Sequence, residues 1–242
     1  AGDVLLVIRD VTEARRLDEI RRDFVANASH ELKTPAASIQ AAAETIRSAV
    51  LDDPGVLPGF AVQLEREAER LSRIISDLLD LSRLESGSDL TEAVALDAIV
   101  REEAARFEEA AGEAGVKLSV DVGAAPHVRA SARDLSLLVR NLIDNAIRYT
   151  RRGGRVDVGL TSAEHDAVLT VSDTGVGIPT RDLPRIFERF YRVDRARSRE
   201  TGGTGLGLSI VRHVVENHGG RVSVDSELGR GTRFEVRLPV AG

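Results

Sequence analysis

The segment from Asp23 to Pro35 contains the residues best suited to chemistry in this chain. It carries His30, one of only five histidines, with Glu31 directly after it. A histidine with a neutral ring nitrogen is a nucleophile at physiological pH. The same pair also fits a solvated helix face without any function. The assignment therefore depends on whether the rest of the chain supplies a site for a phosphate donor.

A polar stripe on a predicted helix is the first part of such a site. Ser131 is a typical N-cap residue, and the apolar spacing after it predicts a helix that ends at Tyr149. Asn141, Asn145 and Arg148 stand at positions i, i+4 and i+7, so they share one face. Carboxamide oxygens suit Mg²⁺, which also takes phosphate oxygens, and arginine can reach phosphates. A solvated polar stripe explains the same spacing.

The segment around Asp173 is the second part. An apolar strand leads to Asp173, and Gly175 and Gly177 follow in alternation. Glycine lets the backbone approach a flat or bulky ligand, and it tolerates positive φ. The acid can accept a hydrogen bond from an exocyclic amine such as that of adenine. A tight turn is the alternative interpretation of this motif.

A second glycine motif, Gly202–Leu208, opens another predicted helix. Glycine-rich backbone at a helix N-terminus binds anions. The preceding segment, Arg195–Thr201, is polar rather than strand-like, so the context of a dinucleotide-binding motif is missing. Between the two glycine motifs, Ile186–Arg192 supplies apolar anchors for a mobile lid. A disordered surface loop is the alternative for this region.

The elements that position these residues begin with a long helical hairpin. Apolar residues recur at three- and four-residue steps over about Val11–Val50, and Pro35 is expected to bend that helix. Asp52–Gly55 predicts a turn, and a second heptad-patterned helix follows over about Val56–Glu85. A seam this apolar needs a partner, and we expect a second copy to complete a four-helix bundle. Packing against the chain's own second domain is the alternative.

The remainder of the chain has a mixed pattern, so the fold class is α+β. A short strand is expected at Val4–Ile8, before the long helix, and a linker at Ser86–Asp89. The closing strands form a hairpin around Leu228–Gly231. The predicted helices are Leu96–Glu113, Ser131–Tyr149 and Thr204–His218, and the predicted strands are Val116–Val122, Arg155–Leu160, Ala167–Ser172, Arg221–Ser226 and Thr232–Leu238.

The composition excludes several classes of protein. The 242 residues, 42% of them hydrophobic, suffice for one large or two modest domains. A net charge of −6 with interspersed signs argues against a nucleic-acid-binding face, and the lack of cysteine excludes disulfides and thiolate metal sites. No apolar run approaches the roughly 18 residues that a membrane span needs. The chain begins with Ala1 and contains no methionine, so we expect a cytoplasmic fragment without membrane contact, whose parent protein could be anchored in an inner membrane.

In this order and spacing the motifs resemble those of the bacterial sensor histidine kinases of two-component systems. His30–Pro35 resembles the H box, Asn141–Tyr149 the N box, Asp173–Gly177 the G1 box, Phe187–Tyr191 the F box and Gly203–Gly207 the G2 box. The resemblance covers about Asp10–Pro239, and the residues at its start resemble the exit of a PAS sensor domain. Arg148 departs from the family, which more often has lysine there, but it keeps the charge.

The resemblance implies a helical hairpin that dimerises as a four-helix bundle, followed by an α/β-sandwich ATP-binding domain of the Bergerat or GHKL type. The implied domains are 1–10, the end of a PAS-like sensor domain, 11–88, for dimerisation and histidine phosphotransfer, and 89–242, for catalysis. ATP and Mg²⁺ are the implied cofactors. The implied partners are a second copy of the chain and the receiver domain of a response regulator.

The resemblance also implies the reaction and the residues that carry it out. His30 is autophosphorylated, and the phosphoryl group then passes to an aspartate of the response regulator. Glu31 polarises the imidazole by accepting its other ring proton. Thr34 positions water for the reverse, phosphatase activity toward the regulator.

The same resemblance assigns the nucleotide-binding residues. Asn145 ligates Mg²⁺, Asn141 supports it, and Asp173 recognises the adenine amine. Arg148 and Arg192 contact phosphates. The other residues implied at the site are Tyr149, Gly175, Gly177, Ile178, Gly203, Thr204, Gly205, Leu206 and Gly207.

Three other functions are compatible with part of the pattern. A nucleotide-binding regulatory module would change conformation without phosphorylating itself, and labelling of His30 distinguishes it. ATPases of the gyrase, mismatch-repair and heat-shock chaperone group share the Asn and glycine boxes but lack the histidine-bearing hairpin. A protein with the kinase fold could also act mainly as a phosphatase of the response regulator.

Overall fold

The computed structural model describes residues 12–52, 54–87, 92–123, 127–194 and 203–241. Its two compact units divide between Ser72 and Arg73, inside a helix. The predicted strand Val4–Ile8, the second half of the predicted linker and the polar run at 195–201 lie outside the described residues. None of the helices in the described ranges is long and apolar enough to cross a membrane.

The helical hairpin is present as predicted. Helix α1 spans Thr12–Asp52 and continues through Pro35, which is buried. A 3₁₀ turn, Pro54–Val56, leads into helix α2, Leu57–Glu85. The seam of α2 is only partly covered, because Leu64 and Leu71 remain half-buried within the single chain.

The second unit contains two sheets. Strands β1, Glu92–Val94, and β3, Val128–Ala130, form a small antiparallel pair. The main sheet has the order β2-β4-β5-β7-β6, with β2 and β4 parallel and the other neighbours antiparallel. Its strands are Lys117–Val122 (β2), Arg155–Ala163 (β4), Asp166–Asp173 (β5), Arg221–Glu227 (β6) and Gly231–Pro239 (β7).

Helices cover this sheet and complete an α/β sandwich. They are α3, Leu96–Arg106, α4, Glu108–Ala114, α5, Ala132–Tyr149, and α6, Gly207–Asn217. Leu138 and Leu142 of α5 and Ile210 of α6 are fully buried, as are Leu169 and Val236 of the sheet. Burying an aliphatic side chain of this size contributes roughly 1.5–3 kcal/mol, so a mostly aliphatic core suffices without tryptophan.

Two of the predicted helices differ from the structure. The helix expected over Leu96–Glu113 is divided at Phe107, whose N–H bonds to the carbonyl of Ala104, three residues back, at 3.0 Å. The helix expected from Thr204 begins at Gly207 instead. Gly205 has a φ of +76°, and this left-handed conformation cannot belong to a right-handed helix.

The last turns of α2, from Arg73 onward, belong to the second unit and contact its helices α5 and α6. The Arg83 guanidinium donates to the Asp134 carboxylate at the start of α5, and Arg133 donates to Asp80 at 3.2 Å. The Asn217 carboxamide, at the end of α6, donates to the carbonyl of Leu84 at 2.9 Å. These contacts bring polar residues of α2 to the cavity described next.

Candidate functional site

A cavity of about 580 Å³ lies in the second unit. It is lined by α5, by the loop after β5, by the segment before α6 and by α2. The predicted site residues that line it are Asn141, Asn145, Arg148, Tyr149, Asp173, Gly177, Ile178, Arg192, Gly203, Thr204, Gly205 and Gly207. Three separate sequence motifs therefore meet at one space.

Two of the residues predicted to bind the nucleotide do not line the cavity. Leu206 is fully buried, and it supports the loop from inside the core. Gly175 contributes through its backbone, because its N–H donates to Oδ1 of Asp173 at 2.8 Å. Both residues belong to the frame of the site rather than to its surface.

The Asp173 carboxylate is oriented by the backbone. Its Oδ1 accepts from the N–H of Gly175 and, at 3.3 Å, from that of Thr232 at the start of β7. Burial raises the pKa of Asp173, while these two N–H groups favour the ionised form and oppose that shift. Oδ2 has no hydrogen-bond partner among the described residues. One oxygen is thus anchored and the other is available to an amine donor.

The loop after Asp173 requires glycine at Gly177. Its φ is +68°, and a Cβ there would collide with the carbonyl oxygen of Glu227. The N–H of the next residue, Ile178, donates to the Ser226 hydroxyl at 2.8 Å. The loop is consequently pinned to the β6–β7 hairpin and forms a fixed wall of the cavity.

Helix α5 presents its polar stripe to the cavity, as predicted. The Ser131 hydroxyl caps the helix by accepting from the N–H of Asp134 at 3.4 Å. Asn141 donates to the carbonyl of Leu137 at 2.7 Å, which fixes the orientation of its carboxamide. Asn145 is half-buried, and its side chain has no hydrogen-bond partner among the described residues.

The carboxamide groups of α5 fit a hard cation whose other ligands are water and phosphate oxygens. Within the described ranges no three His, Asp or Glu side chains cluster closely enough to hold a metal ion. The unpartnered carboxamide of Asn145 is an oxygen ligand of the type that Mg²⁺ accepts. Because Mg²⁺ usually keeps several waters and binds phosphate oxygens, one protein oxygen can be enough.

The predicted nucleophile lies in the first unit. His30 is exposed on α1, and its carbonyl accepts from the Thr34 hydroxyl at 3.1 Å. The Glu31 carboxylate accepts from Arg70 of α2 at 3.1 Å, and Arg70 is almost fully buried. The role of Glu31 as a partner of the imidazole stays a prediction, because the structure pairs its carboxylate with Arg70.

Several cavity residues were missed by the sequence motifs. Arg73, Ser76 and Asp77 of α2 line the cavity, and so does Arg140 of α5. Asp77 accepts a hydrogen bond from the Thr204 hydroxyl at 2.6 Å. Polar residues on a heptad-patterned helix have no spacing that distinguishes a cavity-lining position from a solvated one.

Tyr191 was assigned only as part of the F box. Its hydroxyl donates to the buried Asp182 at 2.7 Å, and this bond raises the pKa of Tyr191. The guanidinium of Arg185 lies over its ring, 4.3 Å from the centroid. These contacts fix the ring at the wall of the cavity.

Comparisons with known proteins agree with this geometry. Residues 20–87 match the family model of the His Kinase A (phospho-acceptor) domain, and residues 130–242 match that of the histidine kinase-, DNA gyrase B-, and HSP90-like ATPase. The sensor-like histidine kinase SenX3 of Mycolicibacterium smegmatis is 39% identical over 237 residues, which cover 97% of this chain and 62% of SenX3. The solved mycobacterial sensor histidine kinase MprB is 31% identical with a TM-score of 0.55, and the match covers 62% of this chain and 98% of MprB.

The chain belongs to the sensor histidine kinase family. The solved full-length ShkA in complex with AMPPNP is 27% identical, with a TM-score of 0.65 over 90% of this chain and 46% of ShkA. The phospho-acceptor match over 20–87 separates this chain from ATPases that share only the nucleotide fold. The chain spans less than two thirds of the length of the curated relatives that it matches, and 62% of SenX3.

Proposed function

We propose that this region is an ATP-dependent protein-histidine kinase that phosphorylates His30 and passes the phosphoryl group to an aspartate in the receiver domain of a response regulator. The observation that carries the proposal is the cavity in which the Asn stripe, Asp173 and the second glycine motif meet. Membership of the sensor histidine kinase family supports the reaction class. The AMPPNP bound to ShkA supports ATP as the donor.

In this proposal the second unit binds the nucleotide. The anchored carboxylate of Asp173 accepts a hydrogen bond from the adenine amine, and the N–H groups of Gly175 and Thr232 hold it in place. Asn145 is the Mg²⁺ ligand, with Asn141 beside it, and Arg148 and Arg192 are the phosphate contacts. Mg²⁺ supplies charge neutralisation on the phosphates, which phosphoryl transfer depends on together with positioning.

The proposed transfer balances without a further co-reactant. A ring nitrogen of His30 attacks the γ-phosphorus of ATP, the bond to the leaving oxygen of ADP breaks, and Glu31 holds the proton on the other ring nitrogen. The carboxylate of the response regulator then attacks the same phosphorus and releases the imidazole. Thr34 positions water for the hydrolysis of the phosphorylated regulator.

We also propose the assembly that this chemistry needs. Residues 11–88 form the dimerisation and phosphotransfer domain, and 89–242 form the catalytic domain. A homodimer through α1 and α2 is supported by the half-buried seam and by the exposed Val62 and Leu79, at 63% and 67%. We place this region in the cytoplasm.

Labelling with γ-phosphate-labelled ATP tests the proposal. A phosphorus–nitrogen bond is labile in acid and survives alkali, so the label on the protein should be lost in acid and persist in base. His30→Gln should abolish the labelling and leave the affinity for ADP unchanged. His127→Gln is the matched control, since His127 is also exposed but has no acid beside it. An acid-stable label, or undiminished labelling of the His30→Gln protein, would contradict the proposal.

A further inference from the structure

A carboxylate of α2 accepts a hydrogen bond from a hydroxyl group of the proposed nucleotide site. Oδ2 of Asp77, on α2, accepts a 2.6 Å hydrogen bond from the hydroxyl of Thr204. The Thr204 hydroxyl in turn accepts from the N–H of Leu206 at 3.2 Å. Asp77 and Thr204 both line the cavity, and Thr204 is nearly buried. An internal anion therefore stands at the glycine motif whose residues we assign to the nucleotide.

The same carboxylate faces a cation that belongs to the cavity. Arg140 lines the cavity one residue before Asn141, and it lies 3.8 Å from Asp80, one helical turn after Asp77. Burial is the largest effect on Asp77 and raises its pKa, while the hydrogen bond from Thr204 and the positive charge of Arg140 oppose that shift. Two acids of α2 thus share the charge of an arginine that could otherwise face phosphate.

We propose that Asp77 is an intramolecular competitor of the nucleotide's phosphates, and that it engages the Thr204 hydroxyl and attracts the guanidinium of Arg140 as long as its carboxylate lies in the cavity wall. The inference rests on the proposed function and adds a means of regulation to the same site. A phosphate entering the cavity would meet the negative charges of Asp77, Asp80 and Asp144. Tight binding of a nucleotide then requires that Asp77 gives up its place.

The energetics make such an exchange feasible. Burial disfavours the ionised form of Asp77. This cost of burial offsets part of the stabilisation that the carboxylate gains from its hydrogen bond with Thr204. A phosphate brings more acceptor oxygens and more charge to the same hydroxyl and guanidinium. When the competent state of a protein is only partly populated, its apparent affinity falls by that fraction. Removal of the Asp77 carboxylate should therefore raise the apparent affinity for the nucleotide.

The test measures the binding of Mg²⁺-ADP and of adenosine to the whole chain by calorimetry. Asp77→Asn removes the charge at nearly constant shape, and Asp77→Ala removes the acceptor while favouring the helix. Both variants should bind Mg²⁺-ADP on the order of tenfold more tightly, the range expected when a hydrogen bond to a charged group is lost from the competing state. Adenosine, which has no phosphate, should bind all variants equally.

Asp225→Asn is the matched control, because Asp225 is exposed on β6 and its change alters net charge equally. It should leave both affinities unchanged. Mg²⁺-ADP affinity that is equal or weaker in both Asp77 variants would overturn the inference, and a weaker one would make Asp77 a ligand instead. A parallel gain for adenosine would also overturn it, since the cavity would merely have opened. A wild-type chain that binds neither ligand would refute the proposed function itself.

Discussion

Asp173 shows how a single acid is prepared for recognition at this site. Its Oδ1 accepts from the N–H groups of Gly175, just after β5, and of Thr232, at the start of β7. The side chain is therefore rigid before any ligand binds, and rigid donors and acceptors lose little entropy on binding. The order of strand, acid and glycine in the sequence predicted Asp173 as an acceptor. It could not predict the contact with Thr232, which lies 59 residues further along the chain and comes close only because β7 pairs with β5.

Substitution of Asp173 tests its role in adenine recognition. Asp173→Asn replaces the available acceptor with a carboxamide whose NH₂ can face the adenine amine, so ATP affinity should fall by about 10- to 100-fold, the range for a lost hydrogen bond to a charged group. The preference for ATP over GTP should fall with it. Asp166→Asn, at the opposite end of β5, is the control and should change neither. Equal ATP affinities for Asp173→Asn and wild type, measured by calorimetry, would remove Asp173 from the site.

At the scale of elements, helix α5 was the most predictable part of the molecule. Its Ser131 cap, its buried apolar face and its polar stripe all agree with the structure. Local signals suffice there, because capping and periodicity act within a few residues. Strands β1 and β3 were not predicted, since three residues are too few for a period of two and their pairing is non-local. The end of α2 was predicted correctly at Glu85, but its place at the cavity was not, because the heptad pattern does not show what the polar face of the helix contacts.

The hairpin also contains an element-scale contact that bears on His30. Arg70 of α2 holds Glu31 of α1, the residue directly after the nucleophile, and Glu67 lies 3.9 Å from the same guanidinium. While Glu31 pairs with Arg70, its Oε2 is engaged in that ion pair and does not serve an imidazole proton. The contact between the two long helices thereby controls whether the Glu31 carboxylate is available to accept a proton from His30.

Arg70→Met tests this coupling. The change keeps the apolar volume of a nearly buried side chain and releases Glu31, so autophosphorylation of His30 should become several-fold faster, a small part of the roughly 10²–10⁴-fold that general acid–base catalysis can supply. Arg66→Met, at an exposed position of the same helix, should leave the rate unchanged. The measurement is the initial rate of labelling, alongside a thermal melt that verifies folding. An equal or slower rate in a folded Arg70→Met protein would show that Arg70 does not restrain Glu31.

At the scale of the whole molecule, the helical hairpin leaves several large apolar side chains exposed along its two helices. The sheet and helices of the second unit enclose fully buried residues such as Leu138 and Val236. The hairpin instead leaves large apolar side chains exposed, with Val25 at 57% and Val62 at 63%. Monomeric proteins rarely keep extended apolar surface in water. We therefore expect a partner to cover the hairpin, at the surface that the heptad period predicts.

The seam of α2 supplies the corresponding prediction. Leu64 and Leu71 stand seven residues apart and are half-buried in the single chain, so a second copy would bury what remains exposed. Light scattering should give a dimer at micromolar concentration. Leu71→Glu places a charge in that seam and should raise the dimer dissociation constant by at least about 100-fold, because a buried unpaired charge costs more than about 3 kcal/mol. Val120→Glu, which alters a 41% exposed apolar residue on β2, should remain dimeric. A wild-type monomer, or a dimer unaffected by Leu71→Glu, would exclude an interface through this seam.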